Sequence, residues 1–255
     1  MLMAGHQKKP GQQKKRPQLI AKRFLSEVDK PRVVILASGG GSTTEAFIRL
    51  CSIGKISAQV VAVISNKKSP GVFSKVAKLN EELSLDIKCI HLGKVNYPAK
   101  PSEKVAYGRQ TKAEEKALLN KLTELQTDLV FLLGYMKLIG NIVVQKYGWN
   151  KDFDSVFQAR MLNTHPGLLP HTKGLFGMHI QQYVLINNKP AGHCIFVVDG
   201  EYDDGPVISQ HSLKVVAGDT PDKLFERVQD SEKKYLAKDI QDFILGQAKY
   251  NKNHE

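Results

Sequence analysis

Asn163 and His165 stand two residues apart in Met161-Leu-Asn163-Thr-His165-Pro166-Gly167-Leu-Leu-Pro170, at the end of an apolar run. In extended backbone, residues i and i+2 point to the same side. An amide and an imidazole can therefore reach one reacting group. The amide is a neutral donor for a developing oxyanion, and the imidazole exchanges a proton near neutral pH. Pro166 prevents the run from continuing as helix. A second polar knot follows, Asp199-Gly-Glu-Tyr-Asp203-Asp204-Gly205-Pro206, between strand-like runs at 194–198 and 207–209. A carboxylate from this knot would orient the imidazole and favour its charged form.

Three other segments carry polar groups in telling places. Gly39-Gly40-Gly41-Ser42-Thr43 lies between a β-branched run and a helical pattern. Successive amides at such a turn can cradle a phosphate, helped by the helix N-terminus. A dinucleotide fingerprint would need a glycine where Thr44 stands and an acidic residue about 20 residues on, but the next run ends in Ser65-Asn66. A P-loop would need a Gly-Lys-Ser/Thr ending, which is missing. A monophosphate site fits best, with a plain strand–helix turn as the alternative. Farther on, the stripe Leu224, Val228, Leu236, Ile240, Phe243 marks the buried face of a helix, and Glu232 falls on the same stripe. A carboxylate there reaches a rim or has a partner; Gln229 is one turn before it. The third segment, Leu132 to Ile139, places Met136 beside Gly134 at the end of an apolar run.

The scaffold that must position these groups is an alternation of apolar runs and amphipathic segments. Strands are expected at 32–37, 59–64, 87–91, 128–133, 160–163, 191–198 and 206–214. Helices are expected at 43–53, 70–83, 112–126, 137–147, 176–187 and 220–245, the last opening on Thr220 as N-cap and Pro221 at the first helical position. This alternation predicts an α/β fold: one doubly wound, mostly parallel sheet of about seven strands, with helices on both faces. Ligands bind such sheets at the carboxyl ends of the strands, which is where the polar motifs fall. Two segments read as irregular, 94–110 with its two prolines and 148–157 with the single tryptophan, Trp149, whose expected role is local packing.

The 255 residues, 42% of them hydrophobic, can build a sizeable core without staples. Cys51, Cys89 and Cys194 are scattered, which disfavours a disulfide framework or a structural zinc site and fits a reducing cytoplasm. His171, His179, His193 and His211 match no metal-ligand spacing, so no metal is expected. No apolar run approaches the ~20 residues of a membrane span. Half of the formal charge of +12 sits in residues 1–30, where eight Lys and Arg oppose only Glu27 and Asp29. This Gln-, Lys- and Pro-rich segment is expected to be a disordered basic extension. Without interleaved aromatics for base stacking, it is a weak argument for nucleic acid. A non-catalytic nucleic-acid-binding protein would also have no need of Asn163 and His165. The expected domain is 31–250.

From about Arg32 to Ile244 the chain resembles the folate-dependent formyltransferases. The resemblance rests on several motifs in order: Val33-Val-Ile-Leu-Ala-Ser38-Gly-Gly-Gly41-Ser42, Asp128-Leu-Val-Phe-Leu-Leu-Gly134-Tyr-Met136, Asn163-Thr-His165-Pro followed by Leu-Leu-Pro170, Asp203-Asp-Gly205-Pro, Ala217-Gly-Asp219-Thr-Pro and Arg227-Val-Gln229-Asp-Ser-Glu232. It implies transfer of a formyl group from 10-formyltetrahydrofolate to the amine of glycinamide ribonucleotide in purine synthesis, with no metal. It implies that Asn163 and a protonated His165 serve the formyl oxygen. It selects Asp203 over Asp199 and Asp204, because the family aspartate lies two residues before the glycine. Gly40, Gly41, Ser42 and Thr43 would hold the acceptor phosphate, Gln229 and Glu232 its amine and sugar end, and Met136, Lys137, Leu138 and Ile139 the pterin. Thr43 stands where the family has Asn, Lys137 where Arg is common, and Ile195 where His is usual; segment 148–157 is extra.

Members that act on a sugar nucleotide or methionyl-tRNA, and the formyltetrahydrofolate hydrolases, remain alternatives. The hydrolases carry an N-terminal regulatory domain that thirty basic residues would not supply. The tRNA enzymes carry a C-terminal barrel, and about ten residues follow the last expected helix. The expected partners are thus two small molecules, without membrane or nucleic acid, and self-association is left open.

Overall fold

The β-branched runs are strands because both of their faces are covered. In a computed structural model, which describes residues 30–254, seven strands form one sheet. They are β1 (Arg32–Leu36), β2 (Gln59–Ser65), β3 (Lys88–His91), β4 (Leu129–Leu132), β5 (Met161–His165), β6 (Ala191–Val197) and β7 (Val207–Leu213). Their order is β3-β2-β1-β4-β5-β6-β7. The pairs from β3 to β5 are parallel, and β6 and β7 are added antiparallel. The expected α/β class and strand number are what the structure shows. The basic segment before Lys30 lies outside the described residues.

Six helices flank the sheet: α1 (Ser42–Ser52), α2 (Gly71–Leu83), α3 (Lys112–Glu124), α4 (Asn141–Tyr147), α5 (Met178–Ile186) and α6 (Pro221–Asn253). One core lies between the sheet and α1, α2 and α6, where Phe47 meets Phe131 edge-on at 5.1 Å. The other lies under α3 and α4, with Leu118, Leu122, Val143 and Tyr147 against Val34, Leu36 and Val130. Full burial of one such aliphatic side chain stabilises by about 1.5–3 kcal/mol, against ~1 kcal/mol or less for an exposed ion pair. The stripe Leu224, Val228, Leu236, Ile240, Phe243, all buried, therefore sets the seat of α6. Exposed pairs such as Lys238–Asp242 do not.

The boundaries that moved have local causes. The helix expected from 137 begins at Asn141, because Gly140 is extended and Leu138 pairs with Arg109 in an isolated bridge. Residues 137–139 therefore belong to an extended wall. β5 runs on to His165 because β6 continues the ladder, pairing Thr164 with Ile195 and His165 with Cys194. α6 passes its expected end at 245 because 148–158 packs on its last turns. Gln247 Nε2 donates to Phe157 O and Ala159 O, and Tyr250 Oη donates to Asp154 Oδ1 at 2.6 Å. Trp149 meets Phe153 edge-on at 5.7 Å and packs on the core, the local role expected of it.

Candidate active site

β5 delivers Asn163 and His165 at the carboxyl end of the sheet, but their surroundings differ. Asn163 is half-buried and lines a cavity of about 740 Å³. His165 is only 4% exposed and does not line that cavity. Its Nε2 lies 2.9 Å from Thr172 Oγ1, and its Nδ1 faces Asp203 Oδ1 at 3.8 Å. The turn after β5 is held by Gln181, whose buried Nε2 donates to Pro166 O at 2.8 Å. The strand places amide and imidazole on one side, and the following turn draws the ring inward.

Asp203 sits at φ 51° in the loop between β6 and β7. Its Oδ2 accepts from Gly174 N at 3.1 Å, and the neighbouring Asp204 pairs with Lys173, so this loop is tied to the turn 170–177. Gly205 makes the arrangement possible, since a Cβ there would lie 1.7 Å from Val197 O. Asp204 is exposed, and Asp199 Oδ1 accepts from Glu201 N. Asp203 is the one of the three with an ion-pair distance to His165. It lines the cavity as well. Burial pushes the His165 pKa below its ordinary 6.5, although Asp203 and a hydrogen bond to the Thr172 backbone oppose the shift. The expected influence of Asp203 is present and favours the charged ring, and desolvation opposes it as the larger cause. On this balance the neutral form is favoured at neutral pH.

One side of the cavity is the wall Met136, Lys137, Leu138 and Ile139, all lining it. Met136 is half-exposed there, whereas the Lys137 ammonium turns away to the buried Glu114. Two wall amides are already used: Met136 N donates to Ser38 Oγ at 3.0 Å and Leu138 N to Gly108 O at 2.8 Å. Segment 94–110 is irregular and largely exposed, as expected, and its end is anchored here. Gly108 O also accepts from Tyr202 Oη, and Tyr107 and Phe176 stand exposed at the cavity mouth.

The other side is the glycine turn. Gly39, Gly40, Gly41, Ser42 and Thr43 all line the cavity. Gly41 is the N-cap of α1 at φ 73°, and no side chain caps the first turn. The first amides of the helix are therefore available to an anion. A Cβ on Gly41 would lie 2.4 Å from Val72 Cγ2, whereas one on Gly40 would meet nothing within 4 Å. Lys75 of α2 lines the same space, paired with Glu45 at 2.5 Å. From α6 come Gln229 and Glu232, the latter 6% exposed. Burial pushes the Glu232 carboxyl up, opposed by the hydroxyls of Thr43 and Thr164. Its Oε1 has no hydrogen-bond partner among the described residues. A buried acceptor without a donor is costly, of order 1–3 kcal/mol, and a ligand hydroxyl or amine would remove that cost.

The remaining histidines lie elsewhere. His193 and His211 face each other across β6 and β7, bonded to Ser231 and Asp239, and burial pushes His193 down to about 4. His179 rests edge-on against Phe176, and His171 is exposed. Among the described residues no group of three His, Cys, Asp or Glu is placed to hold a metal. A second recess of about 750 Å³ opens at the amino ends of β1, β2 and β3 and gathers none of the motif residues.

Residues 31–240 match the family described as formyl transferase. The chain belongs to the formyl transferase family. It is 31% identical over 223 residues to the chloroplastic phosphoribosylglycinamide formyltransferase of Arabidopsis thaliana, covering 86% of this chain and 68% of that one. It is 29% identical over 222 residues to phosphoribosylglycinamide formyltransferase of Escherichia coli, covering 87% and 91%. The solved phosphoribosylglycinamide formyltransferase of Bacillus halodurans superposes with a TM-score of 0.68 at 29% identity, covering 84% and 95%.

Within this formyl transferase, the structure moves one expected departure. Ile195 is core, packed on the α6 side, while its neighbour Phe196 pairs with Asn163 and lines the cavity. The β6 side chain that shapes the site is therefore Phe196. Sequence reading missed Thr172, Thr164, Lys75, Tyr107 and Phe196. The first two sit inside or just after the quoted Asn-x-His-Pro motif and were legible as neighbours. The others reach the cavity only through tertiary packing.

Proposed function

We propose that this formyl transferase moves the formyl group of 10-formyltetrahydrofolate to the amine of glycinamide ribonucleotide, a step of purine biosynthesis. The observation that carries the reading is the layout of the cavity at the carboxyl ends of the strands. An anion-ready glycine turn with Glu232, whose Oε1 has no partner among the described residues, lies on one side, and the apolar wall around Met136 lies on the other. Asn163 and Asp203 line the same space. A ribonucleotide fits the first half and a flat pterin the second. The names of the relatives above support formyl transfer to that acceptor.

The chemistry follows from the groups at the junction. The acceptor amine attacks the formyl carbon, a C–N bond forms, and the carbonyl π pair moves to oxygen. The Asn163 amide donates to that oxygen. The proton lost by the amine passes to the pair formed by Asp203, on the cavity wall, and neutral His165 behind it. It returns to folate N10 as the N10–carbon bond breaks. In this reading His165 exchanges the proton, and the oxyanion contact falls to Asn163. We take residues 31–250 as the catalytic unit, in a cytoplasmic setting consistent with three free cysteines. Among the described residues no helix is long and apolar enough to cross a membrane.

Loss of 10-formyltetrahydrofolate, followed by absorbance, should depend on added glycinamide ribonucleotide. Equal rates without the acceptor would replace transfer by hydrolysis. The acceptor half-site has its own test. Gly41→Val would strike Val72 and is unsuitable, so the informative change is Gly40→Val, which projects into open cavity. It should raise KM for the ribonucleotide at least about tenfold and leave KM for the folate within about threefold. Inorganic phosphate should compete with the ribonucleotide. Phosphate competition against the folate would mean that the half-sites are exchanged.

A further inference from the structure

We propose that Lys75 binds the acceptor's phosphate, and that Glu45, its ion-pair partner, competes with that phosphate for the ammonium. The inference rests on the functional reading above and deepens it. The charges of the cavity carry it first. Among the described residues lining that space, Lys75 and Lys137 are the cations, and Glu201, Asp203 and Glu232 are the anions. The Lys137 ammonium is committed to the buried Glu114. A phosphate monoester adds about −1.5 to −2 of charge at pH 7. The amides of the glycine turn offer only partial charges. The full positive charge that can face the phosphate is therefore Lys75.

Its place in the fold is the second observation. The first turn of α2 packs on the glycine turn. Val72 N donates to Gly39 O at 3.1 Å, and a Cβ on Gly71 would lie 3.2 Å from Gly40 Cα. Lys75 follows Val72 by three positions and Gly71 by four, so its side chain leaves the same face of α2. Its ammonium reaches Glu45 Oε2, 2.5 Å away in the first turn of α1. Positive charge thus stands within a turn of the α1 amides that no side chain caps. Glu232, buried and with Oε1 lacking a partner among the described residues, lines the same cavity from α6 and independently marks this half as a ligand site.

The third observation is how Glu45 is held. A carboxylate so close to a phosphate repels it and takes up the helix-terminal field an anion would use. The Lys75 and Glu45 side chains are 39% and 31% exposed, so their pair is weak and exchangeable. Arg49 is placed to keep the carboxylate when the ammonium turns away. One of its terminal nitrogens, Nη2, lies 3.4 Å from Glu45 Oε1, while Nη1 is anchored on Glu82 at 2.7 Å. Lys75 can therefore pass to a phosphate without leaving Glu45 unpaired.

The test measures binding and not turnover. The full chain is titrated calorimetrically at low ionic strength with glycinamide ribonucleotide, with its dephosphorylated riboside and with inorganic phosphate. Lys75→Met should weaken the ribonucleotide at least ~10-fold, the scale for losing one hydrogen bond to a charged group, and leave the riboside within about twofold. Lys75→Arg should hold the ribonucleotide within about threefold, since a cation is kept. Glu45→Gln should act in the opposite direction and tighten it about two- to threefold, by removing a weak competitor and a like charge. A pair that merely joined α1 to α2 would give both changes the same sign. Loss of affinity in Glu45→Gln comparable with that in Lys75→Met would therefore overturn the proposal. So would equal loss for ribonucleotide and riboside in Lys75→Met. The exposed pair contributes little to stability, so each variant should unfold near the Tm of the unmodified protein. Inorganic phosphate does not depend on which acceptor the protein uses. Its weakening in Lys75→Met supports the proposal even where the ribonucleotide does not bind, and an unchanged phosphate affinity overturns it. Failure of the functional reading and failure of this proposal are thus told apart.

Discussion

Asn163→Ala is expected to lower kcat by about 10²–10³-fold, the usual loss for one oxyanion donor. Asn163 lines the cavity at the strand end, whereas His165 is more deeply buried behind it. The interaction grows only as charge reaches the formyl oxygen, so KM for either substrate should change little. His165→Ala should lose at least ~10²-fold by a different route, the loss of the proton acceptor. Steady-state kinetics decides both. Turnover within threefold of the unmodified protein would remove the residue concerned from the mechanism.

Asp203→Asn is expected to keep the fold, lower kcat by at least ~10²-fold and move the acidic limb of the pH profile to lower pH. The sign follows from the opposing influences on His165. Burial lowers its pKa, and the Asp203 charge raises it. Without that charge only the lowering remains, so the ring stays neutral to a lower pH. If neutral His165 accepts the proton, activity falls as the ring is protonated, and the limb that moves is the acidic one. If the protonated ring were the working form, activity would fall on the alkaline side, and that limb would move instead. The full profile from acid to alkali therefore decides between them. The same change at Asp204, an exposed partner of Lys173, should leave the acidic limb in place.

The scaffold was legible because its central strands β1, β2 and β4 are apolar runs buried on both faces, and its helices carry clean stripes such as Leu224 to Phe243. The stripe even located Glu232, a carboxylate at a core position whose Oε1 the structure leaves unpartnered. Local turn chemistry was legible only in part. Gly41 reads as a phosphate-loop glycine, but its nearest obstacle is Val72, thirty-one positions on in the chain. Burial was not legible at all. Nothing in Asn-x-His-Pro says that the imidazole will be 4% exposed while the amide faces the cavity. That difference arises from Gln181 on the turn and Thr172 behind the ring, both brought in by the chain after Pro166. For the same reason the net pKa balance was not legible, since spacing shows the nearby Asp203 charge and conceals desolvation. Phe196 and Ile195 illustrate the remaining kind of error. Along a strand, a register slip of one residue exchanges the core and the cavity.

The transfer itself can be followed directly with 10-formyltetrahydrofolate carrying 13C in the formyl group, mixed with the protein and glycinamide ribonucleotide. The carbon should appear as a formamide on the acceptor nitrogen, in step with folate loss, and the Asn163→Ala protein should form it at least ~10²-fold more slowly. Label recovered as free formate at the same rate with or without the acceptor would contradict transfer and make the protein a hydrolase.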